Sequence, residues 1–177
     1  MIIVMGVPGA GKTSVLQGLK TDYQVVNYGN LMLEIEKKEF GIKNRDDMRK
    51  LPIEKQKKAQ KMAAEQLATM PDKVILDTHC SIATPQGYYP GLPFRFLKLW
   101  KVDAFVYITA DVKAIAARRQ NDPTRSRDVD DIELHDGMNK SYLAAYSAFM
   151  GSPAVIILNE QGKLEQAVAK LQALLKS

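Results

Sequence analysis

The chain has 177 residues, of which 46% are hydrophobic and 25% are charged. These values are typical of one globular domain, and they exclude a disordered chain, a collagen-like fibre and a disulfide scaffold. A single cysteine, Cys80, and two histidines argue against paired-cysteine and histidine-rich metal centres. The net charge of +5 suits a phosphate-bearing small ligand as well as it suits nucleic acid.

The sequence shows no sign of a membrane segment or a signal peptide. No continuous apolar run approaches the roughly 18 residues that a membrane helix needs. The apolar run at residues 1–5 is too short for a signal peptide and has no basic flank. We therefore expect a cytoplasmic protein without a membrane partner.

Short apolar runs predict strands that are buried on both faces of a sheet. In chain order these runs are Ile2–Met5, Val25–Val26, Val74–Leu76, Ala104–Ile108 and Ala154–Leu158. Apolar side chains three and four residues apart predict helices over residues 59–70 and 164–175. The alternation predicts an α/β domain with a five-stranded parallel sheet that helices cover on both faces.

The first predicted strand leads directly into a glycine-rich loop. Residues 6–13 match G-x-x-x-x-G-K-[ST], the phosphate-binding P-loop, and a predicted helix follows. Glycines allow the backbone to turn successive N–H groups toward phosphate oxygens. Lys12 is expected to reach the β- and γ-phosphates, and the Thr13 hydroxyl is expected to bind Mg²⁺.

Two polar stretches, residues 41–54 and 120–133, interrupt the alternation of strands and helices. Ligands of parallel α/β folds bind at the carboxyl ends of the strands, so both stretches are candidate mobile covers of the site. The lysines of residues 50–61 surround a helix that already has an apolar stripe. A solvated helix face is therefore favoured over a nucleic-acid patch.

Besides the Thr13 hydroxyl, an acidic group is expected beside the metal, and Asp77 is the candidate. It ends the apolar run Val74–Leu76, where a Walker-B-type carboxylate belongs, although an Asp after a strand also caps helices. His79 follows closely. Contact with a phosphate and a hydrogen-bonded structural role are both open for His79, and the structural role is favoured.

Four arginines cluster within ten residues: Arg118, Arg119, Arg125 and Arg127. Phosphoryl transfer spreads negative charge over the oxygens, so arginines that close over it stabilise the transition state. The alternative is a basic helix end followed by a salt-bridged loop. Beside a P-loop, we favour phosphate contact for at least two of the four.

Taken together, the motifs resemble those of the archaeal-type adenylate kinases, which are P-loop nucleoside monophosphate kinases. The resemblance spans nearly the whole chain. The segments that carry it are GVPGAGKTS at 6–14, VVNYGNLMLE at 25–34, RDDMRKL at 45–51, VILDTH at 74–79, TPQGYYPGLP at 84–93 and RRQNDPTRSRD at 118–128.

This resemblance implies Mg²⁺-dependent transfer of the ATP γ-phosphoryl group to AMP, which gives two ADP. It implies one domain over residues 1–177, with an AMP-binding insertion at about 29–70 and a short lid at about 120–133. Thr13 and Asp77 are the implied Mg²⁺ ligands, and Lys12 and the four arginines are the implied catalytic groups. The implied phosphate-binding residues are Gly6, Val7, Pro8, Gly9, Ala10, Gly11, Lys12, Thr13 and Ser14.

The acceptor side of the site departs from the bacterial pattern. Bacterial members have an arginine in TGDMLR after the second strand, whereas this chain has YGNLMLE. We predict that Arg49 replaces that arginine, with Arg45 as the second choice, and that Gly29 lines the AMP site. Gln86 resembles the bacterial glutamine that recognises adenine, but its distance from Asp77 differs by one residue.

Archaeal members of this type are commonly trimers, so the resemblance also implies a homo-oligomer, and no nucleic-acid partner is expected. The nearest alternative is a kinase of the same fold that acts on CMP, UMP or a non-nucleotide acceptor. A P-loop ATPase that assists the assembly of RNA or protein is the alternative from another class.

Overall fold

The computed structural model describes residues 1–121 and 131–176, with all their side chains except those of Asp46 and Arg49. Arg125 and Arg127 therefore lie outside the described residues, as does most of the expected lid. The elements are β1 (Ile2–Met5), α1 (Lys12–Gln17), β2 (Gln24–Asn27), α2 (Tyr28–Phe40), α3 (Arg45–Lys50), α4 (Ile53–Ala68), β3 (Val74–Asp77), β4 (Ser81–Thr84), β5 (Gly87–Pro90), α5 (Phe94–Leu97), β6 (Ala104–Thr109), α6 (Val112–Gln120), α7 (Ile132–Met150), β7 (Ala154–Leu158) and α8 (Leu164–Leu174).

Five parallel strands form the central sheet in the order β2-β3-β1-β6-β7. β1 occupies the middle, where Ile2 lies opposite Ile75 on one side and Ala104 on the other. All four residues of β1 are buried. This confirms the predicted five-stranded parallel sheet, and it places the P-loop where the chain leaves the middle of the sheet.

Alternate residues of the strands enter two separate cores, one on each face of the sheet. Ile3 and Phe105 belong to the core that also contains side chains of α2, α4, α5 and α7. Ile2 and Val106 belong to the core that contains side chains of α1, α6 and α8. The predicted cover of helices on both faces is therefore confirmed.

A hairpin that the sequence analysis did not predict follows β3. Strands β4 and β5 pair antiparallel as a separate two-stranded sheet. Its anchor is Tyr146 of α7, which is fully buried. The Tyr146 hydroxyl donates to the Cys80 carbonyl at 2.8 Å and accepts from the Leu92 N–H at 3.2 Å. Gly91 is required here, because a Cβ would lie 1.9 Å from the His79 carbonyl oxygen.

The insertion between β2 and β3 consists of three helices. α2 begins after its N-cap, Asn27, and ends at Gly41, which has a φ of 68°. The polar stretch 41–54 contains α3 and the start of α4. Lysines of α4 pair with acids of the insertion, namely Lys57 with Glu54, Lys58 with Glu39 and Lys61 with Glu65. These pairs partly neutralise the basic stretch, which agrees with a solvated helix face.

Within the described ranges, no helix has the length and apolar character that crossing a membrane requires.

Replacing Tyr146 with Phe removes the hydroxyl that joins α7 to the hairpin. Two buried backbone groups would lose a partner, so the free energy of unfolding is expected to fall by about 1–3 kcal/mol. Urea unfolding followed by circular dichroism measures this change. Tyr89→Phe is the matched control, because Tyr89 is 55% exposed. An equal loss in both variants would contradict the anchoring role.

Candidate active site

The P-loop turns sharply between β1 and α1. Gly9 has a φ of 90° and Gly11 a φ of 84°, values in the left-handed region that favours glycine. The Ala10 N–H donates to the Val7 carbonyl at 3.1 Å inside the loop. A Cβ at Gly6 would lie 2.2 Å from the Ile108 carbonyl oxygen. The motif glycines are therefore required by the backbone path and by its contact with β6.

Side chains from α6 and from the end of β7 hold the carbonyl groups of the loop. Arg118 donates from Nη1 to the Ala10 carbonyl at 3.2 Å and from Nη2 to the Asn159 carbonyl at 2.9 Å. Asn159 also donates from Nδ2 to the Ala10 carbonyl at 2.9 Å. Arg119 donates from Nε to the Pro8 carbonyl at 2.9 Å. We call these four hydrogen bonds the loop brace. Three of them fix peptide planes of the P-loop, and the fourth joins Arg118 to Asn159.

The loop brace gives Arg118 and Arg119 a role that the sequence analysis did not predict. Both were expected at the transferred phosphoryl group, whereas in this structure both guanidinium groups bind the backbone of the P-loop. Asn159 was missed entirely. Its sequence signal was its place directly after a predicted parallel strand, at the edge where ligands bind, and its 4% exposure becomes apparent only in the fold.

A buried polar network extends from the loop brace toward α7. The backbone N–H of Asn159 donates to the Thr109 carbonyl at 2.7 Å. The Thr109 hydroxyl donates to Asp136 Oδ1 at 2.7 Å, and the Tyr107 hydroxyl donates to the same atom at 2.9 Å. Burial raises the pKa of Asp136, but hydrogen bonds from Lys140, Thr109 and Tyr107 outweigh it and leave this pKa below its ordinary value. The carboxylate therefore stays charged and continues to accept these bonds.

Asp77 lies at the end of β3 and faces the P-loop lysine. Its Oδ1 is 3.8 Å from Lys12 Nζ, and both side chains are almost buried, with exposed fractions of 13% and 11%. Lys12 Nζ also donates to the Gly6 carbonyl at 3.4 Å. The element after Asp77 is strand β4, so this residue does not cap a following helix.

Asn27 connects Asp77 to the insertion. Its Nδ2 donates to Asp77 Oδ2 at 2.8 Å, while its Oδ1 accepts the backbone N–H of Asn30 at 3.0 Å. The second bond caps α2, so one carboxamide both starts this helix and orients the carboxylate. The sequence analysis did not single out Asn27. The signal was available, since a polar residue that ends a parallel strand lies at the edge where ligands bind.

One cavity of about 300 Å³ joins these groups. Lys12 and Thr13 of the P-loop line it, together with Asp77. The Thr13 hydroxyl and the Asp77 carboxylate offer oxygen ligands, which Mg²⁺ prefers, so these residues fit the expected metal. Gly29 and Arg45 of the insertion line the same cavity. The predicted phosphate, metal and acceptor residues therefore meet in one place.

The residues that the sequence predicts for the acceptor do not all line the cavity. The guanidinium nitrogens Nη2 and Nη1 of Arg45 lie 3.6 and 3.7 Å from the point that a Cβ on Gly29 would occupy. Arg49 is also on α3, but its side chain lies outside the described residues. Gln86 is exposed at the turn between β4 and β5 and is not among the residues that line the cavity. The structure thus brings Gly29 and Arg45 to the site and leaves Gln86 outside it.

Two further side chains of the cavity wall have distinct chemistry. His79 is exposed and lines the cavity. Tyr28, the first residue of α2, lines it as well. Burial raises the pKa of Tyr28 to about 12, and the nearby Arg95 opposes this shift only in part. The Tyr28 hydroxyl therefore remains protonated at neutral pH.

Similar sequences belong to kinases. Residues 5–135 match the family model described as an AAA domain. The chain is 45% identical to an adenylate kinase of Thermoplasma volcanium, over 98% of each chain. It is 47% identical to an adenylate kinase of Thermoplasma acidophilum, over 93% of this chain and 92% of the relative. It is 40% identical to one of Methanothermobacter thermautotrophicus, over 99% of each.

Solved structures with the same fold are more distant in sequence. A shikimate kinase from Bacteroides thetaiotaomicron aligns with a TM-score of 0.57 at 15% identity, over 99% of this chain and 98% of the other. A sugar kinase from a Janibacter species aligns with a TM-score of 0.56 at 18% identity, over 99% and 93%. At these identities the comparison concerns the fold alone.

Replacing Asn159 with Ala removes one of the two donors to the Ala10 carbonyl. We expect the free energy of unfolding to fall by about 1–3 kcal/mol and the affinity for a non-hydrolysable nucleoside triphosphate to fall about tenfold. Calorimetric titration measures this affinity. Tyr146→Phe is the control, because the Tyr146 hydroxyl binds the backbone beside the hairpin and not the P-loop. A matching loss of affinity in both variants would refute the loop brace as a determinant of triphosphate binding.

Proposed function

The chain belongs to the archaeal type of adenylate kinase and is a phosphotransferase, and we propose that it transfers the γ-phosphoryl group of ATP to AMP in the cavity described above. The observation that carries this proposal is the meeting of P-loop, carboxylate and acceptor residues in one cavity. Direct transfer requires donor and acceptor to lie side by side, since positioning provides much of the rate enhancement.

On the donor side, residues Gly6 to Ser14 would hold the ATP phosphates. The left-handed glycines and the loop brace support this, because they keep the backbone in a fixed shape before the nucleotide arrives. Lys12 would contact the β- and γ-phosphates. Its present neighbour, Asp77, keeps the ammonium group at the cavity until phosphate oxygens replace that contact.

Thr13 and Asp77 would hold Mg²⁺ together with the phosphate oxygens. The bound ion supplies charge neutralisation and fixes the orientation of the phosphates. Asn27 would keep Asp77 in place through its hydrogen bond to Oδ2. Since that bond uses one carboxylate oxygen, Oδ1 is the oxygen that faces the P-loop.

On the acceptor side, Gly29 and Arg45 would bind the AMP phosphate. A guanidinium group pairs well with a phosphate, and the Arg45 guanidinium lies beside Gly29 at the start of α2. Arg49 remains a second candidate for the same phosphate. Arg125 and Arg127 would contact the transferred group, while Arg118 and Arg119 hold the backbone of the P-loop beside it.

We further propose a cytoplasmic protein that assembles as a homo-oligomer, as the family resemblance implies. ATP, AMP and ADP are its proposed small-molecule partners, without nucleic acid. The ion pairs of Lys57, Lys58 and Lys61 support the last point, because they reduce the charge that α4 would offer to a phosphate backbone.

The function is tested by ADP formation from Mg-ATP with AMP, CMP, UMP or no acceptor. We expect two ADP for each AMP consumed and little product from the other reactions. Lys12→Met, which removes the positive charge at the phosphates, is expected to lower turnover by several orders of magnitude while the fold remains intact. Equal ADP formation without an acceptor would instead identify an ATPase.

The acceptor assignment is tested by Arg45→Gln. We expect the KM for AMP to rise about 10- to 100-fold and the KM for ATP to stay nearly constant, because one charge-assisted contact is lost on the acceptor side only. Steady-state kinetics with each substrate varied separately measures both constants. Lys50→Gln, an exposed change on the same helix, is the control. A larger effect from Arg49→Gln would assign the phosphate to Arg49.

A further inference from the structure

We propose that Gln60 of α4 recognises the adenine base of the acceptor nucleotide. This inference rests on the proposed function and adds a specificity-determining residue to it. Gln60 lines the same cavity as Gly29 and Arg45, the residues assigned to the acceptor phosphate. A nucleotide held by Arg45 would therefore have its base within the part of the cavity that Gln60 borders.

The position of Gln60 on its helix is unusual for a polar side chain. Along the helix face its neighbours three and four residues later are Ala63 and Ala64, and both are fully buried. Gln60 itself is half-buried. Its carboxamide makes no hydrogen bond within the part of the chain that the structure describes. A half-buried amide without a partner retains its full capacity to bind a ligand.

The glutamine one turn earlier shows the contrast. Gln56 donates from Nε2 to the Leu51 carbonyl at 2.8 Å, and this bond ties the start of α4 to the end of α3. A glutamine on this helix thus has a structural role where a backbone partner lies in reach. The Gln60 carboxamide has no such backbone partner among the described residues, and it lines the cavity instead.

Both ends of the Asn27 carboxamide, which also lines the cavity, already take part in hydrogen bonds. Among the described residues that line the cavity, Asn27 and Gln60 have carboxamide side chains. Asn27 uses Oδ1 to cap α2 and Nδ2 to hold Asp77. Gln86, which the sequence favoured for this task, is exposed on the hairpin turn. Gln60 is therefore the amide that remains available to a base.

The chemistry of a carboxamide matches one edge of adenine. Its oxygen accepts from the exocyclic N6 amino group while its nitrogen donates to a ring nitrogen, the paired arrangement by which Gln and Asn bind adenine. Met32 and Met48 line the same cavity and offer apolar, polarisable surfaces to the faces of the ring. Together they would hold a planar base with its polar edge toward Gln60.

The experiment compares AMP with purine riboside 5′-monophosphate, which lacks the 6-amino group. Both acceptors are tested with saturating Mg-ATP on the wild type, Gln60→Met and the control Gln66→Met, an exposed change on the same helix. In the wild type, loss of the amino group is expected to lower kcat/KM about tenfold or more. In Gln60→Met, the KM for AMP rises by that factor and the two acceptors become equivalent.

Gln60→Glu keeps an oxygen for the amino group but loses the N–H donor. It is expected to bind AMP more weakly than the wild type yet still prefer AMP over the analogue, a pattern that a purely structural role would not produce. This variant also serves if Gln60→Met fails to fold, as thermal unfolding would reveal. The KM for ATP should change in neither variant.

The inference is overturned if Gln60→Met retains the wild-type preference for AMP, or if its KM for ATP rises as much as its KM for AMP. Failure of the proposed function is a separate result, because it would appear as a wild-type protein that makes no ADP from AMP and ATP.

Discussion

The hydrogen bond between Asn27 and Asp77 is the contact on which the arrangement of the site depends. It joins the ends of two neighbouring parallel strands, β2 and β3, near Lys12, which follows the P-loop at the start of α1. Because the same carboxamide caps α2, the direction of the whole insertion is linked to the orientation of the proposed metal ligand. The start of α2 therefore cannot shift without changing the orientation of the Asp77 carboxylate. One side chain thus couples two halves of the site that are distant in sequence.

The P-loop illustrates how a local motif depends on distant support. Its glycines allow the backbone to follow this path, but they do not fix one conformation, since glycine is also the most mobile residue. The conformation is fixed by Arg118, Arg119 and Asn159, whose hydrogen bonds reach the loop from more than 100 residues away in sequence. A loop whose carbonyls are already bound needs little rearrangement when phosphate arrives. The brace therefore supports tight binding by preorganisation.

The predictions that the structure confirms rest on short-range patterns, and the features that the sequence did not predict depend on geometry across the fold. Parallel strands are short apolar runs, so Ile2–Met5 and Ala154–Leu158 were predicted with the bounds that the structure has. Burial on both faces was wrong for β7, because it lies at the edge of the sheet, where Ile156 and Leu158 are each 49% exposed. The hairpin strands gave no such signal, because their stability comes from Tyr146 on a later helix. Gln86 was predicted to recognise adenine because its position along the chain resembles that of the bacterial glutamine. The structure exposes Gln86 on the turn between β4 and β5, outside the cavity lining, whereas Gln60 lines the cavity from a helix without any motif.

The contrast between the P-loop motif and Gln60, which belongs to no motif, bears on how acceptor specificity arises. The donor side is a continuous loop, and its shape is fixed by backbone conformation and by the loop brace. The proposed acceptor side is assembled from single residues of α2, α3 and α4, each held by its own helix. Under this proposal, a substitution at Gln60 would change the recognised edge of the acceptor and leave the strands and the P-loop intact. The same fold can therefore serve kinases with different acceptors, as the similarity to a shikimate kinase and a sugar kinase at 15–18% identity illustrates.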